Sequence, residues 1–134
     1  MDFQVKILEA MRRGREHAES LMVDTVTLWR PTGDFVRVDG KTVPEMVEVW
    51  SGPAKVQSRN AYPVTPEAGG RTASLVVLEV HIPASVDVGV MVDDVFIVDS
   101  SQDVALSGSR LRVRTDPTRT WRTARRFQVE EVAA

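Results

Sequence analysis

The sequence predicts a mainly β fold, a small antiparallel β-barrel or sandwich with an amphipathic α-helix at its N-terminus. Three observations carry that expectation. Apolar residues recur at helical spacing through the first 21 residues. From Val23 onward valine dominates, and short β-branched runs alternate with Gly, Pro, Asn and Asp punctuation. The chain has 134 residues, 43% hydrophobic and 27% charged, which suits one ordinary domain able to bury a core without staples.

Residues 2–21 form the expected helix. Phe3, Ile7, Met11, Ala18 and Leu21 share a stripe with Gly14, while Arg12, Arg13, Arg15, Glu16 and Glu19 fall mostly elsewhere. Asp2 suits an N-cap, and Gly14 weakens the helix or admits a close backbone. So narrow a stripe fits packing on a sheet, and equally on a neighbouring subunit. The remainder, 23–132, reads as barrel. In Val23–Trp29, Asp24, Val26 and Leu28 fall opposite Val23, Thr25, Thr27 and Trp29. Asp39-Gly40 signals a hairpin. Glu45–Arg59 divides into two short strands at Ser51-Gly52-Pro53, and Ser74–Ile82 looks covered on both faces over part of its length. The runs "DVFIVDS", "ALSGSRLRVRT" and "TWRTARRFQVEEV" supply the closing strands. Two loops exceed what a hairpin needs, Arg30–Pro44 and Ser58–Thr72, and loops of that length usually carry function.

Composition removes several classes of function. There is no cysteine, hence no disulfide, thiolate metal site or cysteine nucleophile. No apolar run approaches the roughly 20 residues that cross a bilayer. The charged N-terminal segment does not read as a signal peptide, and no repeat or low-complexity tract occurs. His17 and His81 lack metal-ligand spacing. No phosphate-binding glycine motif or nucleophile elbow is present. Asp87, Asp93, Asp94, Asp99 and Asp103 lack the calcium-loop rhythm and read as a solvated acidic edge that discourages aggregation. No enzyme activity, metal or cofactor is expected.

The strongest local signal is basic. Arg110–Arg126 holds seven arginines and a single acid, Asp116, in a chain whose net charge is −2. Arg110, Arg112 and Arg114 alternate with Leu111 and Val113, so the arginines share an outer face. Trp121, Phe127 and Val129 have core parity, and Arg122 and Arg126 the opposite one. Three readings stay open: pairing with acids of the same chain, a seam between subunits, or phosphate contact. An acidic block followed by a basic block is the kind of pattern a head-to-tail ring contact can use.

The stretches "HAESLMVDTVTLWRP", "VWSGPAKVQ", "VHIPASVDVGVMVDDVFIV" and "LSGSRLRVRTDPTRTWRTARRFQVEEV" give the chain a resemblance to the head-closure, or head-to-tail stopper, proteins of long-tailed actinobacteriophages. The resemblance spans nearly the whole chain and rests on strand-and-turn patterns. The chain departs from it at "VGVMVDDVF", where related chains carry a shorter Gly-Asp turn, and in the insert at Arg30–Pro44.

The resemblance implies a helix-decorated barrel with a structural role in the virion neck, reached from the host cytoplasm during assembly. About twelve copies would form a homo-oligomeric ring between a portal or adaptor ring and the tail proteins. Packaged DNA would pass through without sequence readout. One loop would line or close the channel, with Ser58, Arg59, Asn60, Tyr62, Glu67, Gly69, Gly70 and Arg71 as its candidates and Arg30–Pro44 as the second choice. Arg110, Arg112, Arg114, Arg119, Arg122, Arg125 and Arg126, with Asp93, Asp94 and Asp99, are the expected ring contacts. The resemblance carries no catalytic residues. The alternatives are a nucleic-acid-binding barrel, or another ring protein such as an adaptor or a tail terminator.

Overall fold

A computed structural model of the chain describes residues 3–64, 73–115 and 124–132. Helix α1 (Phe3–Ser20) precedes six strands: β1 (Asp24–Val38), β2 (Lys41–Val64), β3 (Ala73–Pro83), β4 (Val95–Ser100), β5 (Arg110–Thr115) and β6 (Ala124–Val132). All pairings are antiparallel, and the sheet closes on itself in the order β1-β2-β3-β6-β5-β4. The mainly β fold with one N-terminal helix, expected from the sequence, is therefore the fold observed. Closure occurs between β1 and β4, where Val26 faces Val98 and Leu28 faces Phe96. A closed sheet has no free edge along its wall, which protects so valine-rich a chain from edge-to-edge aggregation.

The core follows strand alternation. Val26, Leu28, Ala54, Val80, Ile82, Phe96, Val98, Leu111, Val113, Phe127 and Val129 point inward and are buried. Phe96 and Phe127 meet across the interior with centroids 5.9 Å apart and planes tilted by 43°. Burying each such ring stabilises the fold by roughly 1.5–3 kcal/mol through apolar transfer.

Helix α1 lies on the outer face of β3 and β6. Ile7, Met11, Gly14 and Ala18 of the expected stripe are its half-covered positions, yet no residue of the helix is buried. An isolated helix of this length is marginal in water, so even this shallow seat contributes to its order. Under it β3 is covered on both faces: Glu79 points outward from the barrel and is buried all the same.

Two sequence expectations need correction. Arg30–Pro44 is not a loop. Strands β1 and β2 continue past the barrel wall as a two-stranded arm, paired from Arg30↔Val47 through Val38↔Lys41. Its prolines and glycine resembled loop punctuation. They are tolerated because the arm has no second neighbour among the described residues, so a missing ladder donor costs little there. Gly33 takes φ 95° at the irregularity between Pro31 and Phe35. The tip is the expected hairpin turn: Asp39 and Gly40 both have positive φ, 52° and 77°, the requirement of a type I′ turn.

Ser51-Gly52-Pro53 does not break a strand either. It lies inside the 24-residue β2. Gly52 is required because the indole of Trp50 lies over it, and a Cβ there would meet Trp50 Cζ2 at 2.5 Å. The first part of the expected Ser58–Thr72 loop is strand. β2 runs to Val64 and pairs back with β3 from Ala73, so Ser58, Arg59, Asn60 and Tyr62 are strand residues. Glu67, Gly69, Gly70 and Arg71 lie outside the described residues.

Gly52→Ala should lower stability by about 1–3 kcal/mol, the usual range for overpacking. The loss should shrink in a Trp50→Leu background, since the two positions share one contact. Thermal or urea unfolding of the four proteins of that cycle measures both effects.

Candidate functional site

The site with the densest chemistry is the mouth and outer wall beside β4, β5 and β6. The connection from β3 to β4 must travel from one strand to another that is not its neighbour, so it crosses an end of the barrel. Its valines alternate: Val90 is buried in the core, and Val86 and Val88 pack against it. The segment fills that mouth with its own side chains. Crossing a barrel end leaves backbone carbonyls without ladder partners, and two arginines supply donors. Arg125 Nη1 donates to the carbonyls of Val86 at 3.2 Å and Val88 at 2.6 Å. Its guanidinium sits 5.2 Å from the ring centroid of Phe127, a cation–π distance. Arg30 Nη2 donates to the Gly89 carbonyl at 2.7 Å.

Arg30 also grips Asp94 in a two-pronged pair, Nε to Oδ1 at 3.0 Å and Nη2 to Oδ2 at 2.8 Å. Asp94 is 1% exposed and accepts a third bond, from the Met91 N–H at 2.9 Å. The hydrogen bonds that Arg30 donates to Asp94 are the main reason the Arg30 pKa lies above its usual value; partial burial works against it. The preceding residue, Asp93, takes φ 77°. Its N–H donates to the Val113 carbonyl, and the Val113 N–H donates to the Asp94 carbonyl. The acidic turn is thereby tied to the arginine strand of the same chain.

On the outer wall Arg110, Arg112 and Arg114 project away from the core, as their alternation with Leu111 and Val113 predicts. Register places Arg112 opposite Glu130. The Arg112 guanidinium donates to Glu130 Oε1 through Nε at 3.1 Å and through Nη2, and Arg114 approaches the same oxygen at 3.6 Å. The Arg112 hydrogen bond, helped by the charge of Arg114, holds the Glu130 carboxyl below the ordinary glutamate range. The Arg112 pKa is raised in return. Higher on the wall, Thr27 Oγ1 donates to Asp99 and lies 3.1 Å from Ser51 Oγ.

These contacts sort the expected ring residues. Arg125 is a correction. It shares inward parity with Phe127, is buried, and fastens the crossing segment, so it is not a surface contact. Asp94 is a correction for the same reason, being buried beneath Arg30. The acidic and basic blocks are side by side rather than on separate flanks, because β4 and β5 are paired neighbours. Arg112 and Arg114 engage Glu130 of their own chain, the first of the three readings left open by the sequence. Asp99 serves Thr27. Asp93, Arg110, Arg114 and Arg126 are exposed. Arg119, Arg122 and Trp121 lie outside the described residues. Sequence reasoning missed Arg30 altogether: a single arginine at the end of an alternating run carries no mark of the loop it will clamp.

Outside this wall the surface bears unusual apolar exposure. Phe35, Val36, Val38 and Val47 are exposed on the β1–β2 arm, Met91 and Val92 on the crossing segment, and Phe3, Val5 and Leu8 on the first turns of α1. Scattered exposed apolar side chains are common, but three such groupings on a small chain are unusual. Among the described residues no group of three or more His, Cys, Asp or Glu converges where a metal ion could sit. No helix among them is long and apolar enough to cross a membrane.

A closed six-stranded antiparallel barrel, plugged by its own crossing segment and carrying one helix and a protruding ribbon, defines the structural class. The chain belongs to the family described as a family of unknown function, DUF6093, whose model matches residues 14–130. No curated protein matches the sequence.

Asp94→Ala removes the carboxylate shared by Arg30 and the Met91 amide, leaving Arg30 the Gly89 carbonyl, and should cost about 2–3 kcal/mol after allowance for the partial exposure of Arg30. Amide hydrogen exchange should rise first at Met91 and Val113, with the rest of the barrel less affected. For Glu130 the folded-state pKa is depressed, so its contribution is present above the unfolded value and is lost as pH falls through the folded one. The stability advantage of the wild type over Glu130→Gln should therefore shrink on acidification from pH 7, as read from urea midpoints at matched ionic strength.

Proposed function

We propose that the chain is a structural subunit of a phage neck, a ring-forming head-closure protein that joins the DNA-filled head to the tail. One observation carries the reading. Two hairpin ribbons leave the barrel at opposite ends of β2. One is formed by β1 and β2 (Arg30–Val47), and the other by β2 and β3 beyond Ser58↔Leu78. Two-stranded ribbons are marginal alone and become ordered against a partner. A compact wall with reach in both directions suits a subunit held between neighbours.

The barrel interior is packed and its mouth is filled by Val86, Val88 and Val90, so a DNA channel would run between copies and not through any one of them. Within the ring the barrel supplies rigidity and the ribbons supply reach towards neighbours, the portal or adaptor side, and the tail side. The β2–β3 hairpin is the first candidate for the channel, with its strand residues Ser58–Val64 leading to the tip. The arginine wall is partly neutralised by Glu130, which reduces the number of free phosphate contacts per copy. A duplex leaving quickly is retarded less by a wall that releases few counterions.

A nucleic-acid reader draws less support from the same residues. Arg125 is committed to the crossing segment and Phe127 lies in the core, so neither offers a surface on which a base could stack.

The test is genetic and visual. Deleting the gene from the phage or prophage that carries it should yield DNA-filled heads and free tails that fail to join, seen by negative-stain microscopy of the lysate. Supplying the chain from a plasmid should restore joined particles. Normal joined, infectious particles from the deletion would overturn the reading.

A further inference from the structure

The β1–β2 arm and the N-terminal turns of α1 are complementary surfaces of one molecule. On the helix, Phe3 is 74% exposed and Leu8 61%, with Val5 exposed beside them. Phe3 continues the stripe that faces the barrel and still lies open, so the helix overhangs the wall by its first turn. Val5 and Leu8 share another face three residues apart, Val5 nearly half a revolution from the stripe and Leu8 about a quarter. On the arm, Val36 and Val38 are exposed on one face of the ribbon and Phe35, 67% exposed, on the other.

Charge separates the two surfaces. Residues 3–16 hold four basic residues (Lys6, Arg12, Arg13, Arg15) and two acids (Glu9, Glu16), a net of +2, with Arg12 paired to Glu16 at 2.9 Å. Residues 31–48 hold four acids (Asp34, Asp39, Glu45, Glu48) and two basic residues (Arg37, Lys41), a net of −2.

Both surfaces stay open within one copy. The helix enters β1 at Asp24, whereas the arm grows from the other end of that strand, beyond Trp29. The helix rests on β3 and β6, and the arm rises from β1 and β2. Two unlike patches on one molecule make a heterologous contact, which propagates from copy to copy and closes where the rotation allows.

We propose that the β1–β2 arm of one copy seats on the first turns of α1 of the next, with Val36 and Val38 covering Val5 and Leu8. The basic rim of the helix steers the acidic arm into place. The inference deepens the neck-ring reading by naming the contact between neighbouring copies, and it rests on that reading only for the closure of the ring.

The chain has no cysteine, so paired cysteine labels report the contact without background. Full-length Leu8→Cys and Val38→Cys proteins, mixed at high concentration under mild oxidation, should give a disulfide heterodimer several-fold above that from Leu8→Cys with Val104→Cys. Val104 is a well exposed position on the turn before β5 and serves as the control. Changing Arg12 and Arg13 to Glu in the Leu8→Cys protein should reduce the heterodimer, and changing Glu45 and Glu48 to Lys in its partner should restore it. A yield equal to the control, or Leu8→Cys pairing mainly with itself, would overturn the proposal. The two readings fail separately. No cross-link alongside unjoined heads in the deletion removes only the arm-to-helix contact, whereas a cross-link alongside normally joined particles removes the neck assignment.

Discussion

The fold depends on the segment that carries the chain from β3 to β4. Strand order places β6 and β5 between those two, so the barrel closes only if the chain crosses its mouth. The crossing has two requirements that oppose each other: apolar side chains must enter the core, while the backbone that bears them must find donors. Val86, Val88 and Val90 meet the first. Arg125, from inside the wall, and Arg30, from the rim, meet the second, with Asp94 fixing the orientation of Arg30. β4 can then reach β1 at Val95↔Trp29 and complete the ring of hydrogen bonds.

Much of this architecture was legible in the chain. The switch from helical to alternating periodicity near Met22 marks the border between α1 and β1. Alternation alone placed Leu111, Val113, Phe127 and Val129 inside and Arg110, Arg112 and Arg114 outside. Asp39-Gly40 announced its own turn. The misreadings share a cause. Gly and Pro suggest breaks in Arg30–Pro44 and at Ser51–Pro53, where the deciding factor is tertiary. Proline is harmless in a ribbon with no second neighbour, and Gly52 answers to the indole of Trp50, two residues away along the strand.

The candidate site was less legible, because its organisation depends on pairings distant in sequence. Arg30 and Asp94 are far apart in the chain, and neither carries a local sign of the other. Arg125 sits in a run that looked uniformly superficial, and parity with Phe127 was the clue that set it apart. The opposition of Arg112 to Glu130 follows from strand register, which composition cannot specify. What the sequence did convey was the coexistence of acidic and basic blocks. Folding places them on adjacent strands, while their side chains find partners elsewhere in the same chain: Asp94 in Arg30, Asp99 in Thr27, and Arg112 and Arg114 in Glu130.

The length of β2 has a mechanical consequence. Twenty-four residues in one strand extend about 80 Å if fully straight, far more than a barrel wall requires. One unbroken run of backbone thus links the tip at Asp39-Gly40 to the opposite hairpin, held along its middle by ladders to β1 and β3. A pull on either end loads those ladders in shear, many hydrogen bonds together, instead of unzipping them singly. The strand behaves as a tie rod, and tension entering the molecule at one extremity leaves it at the other with the barrel clamped around the shaft.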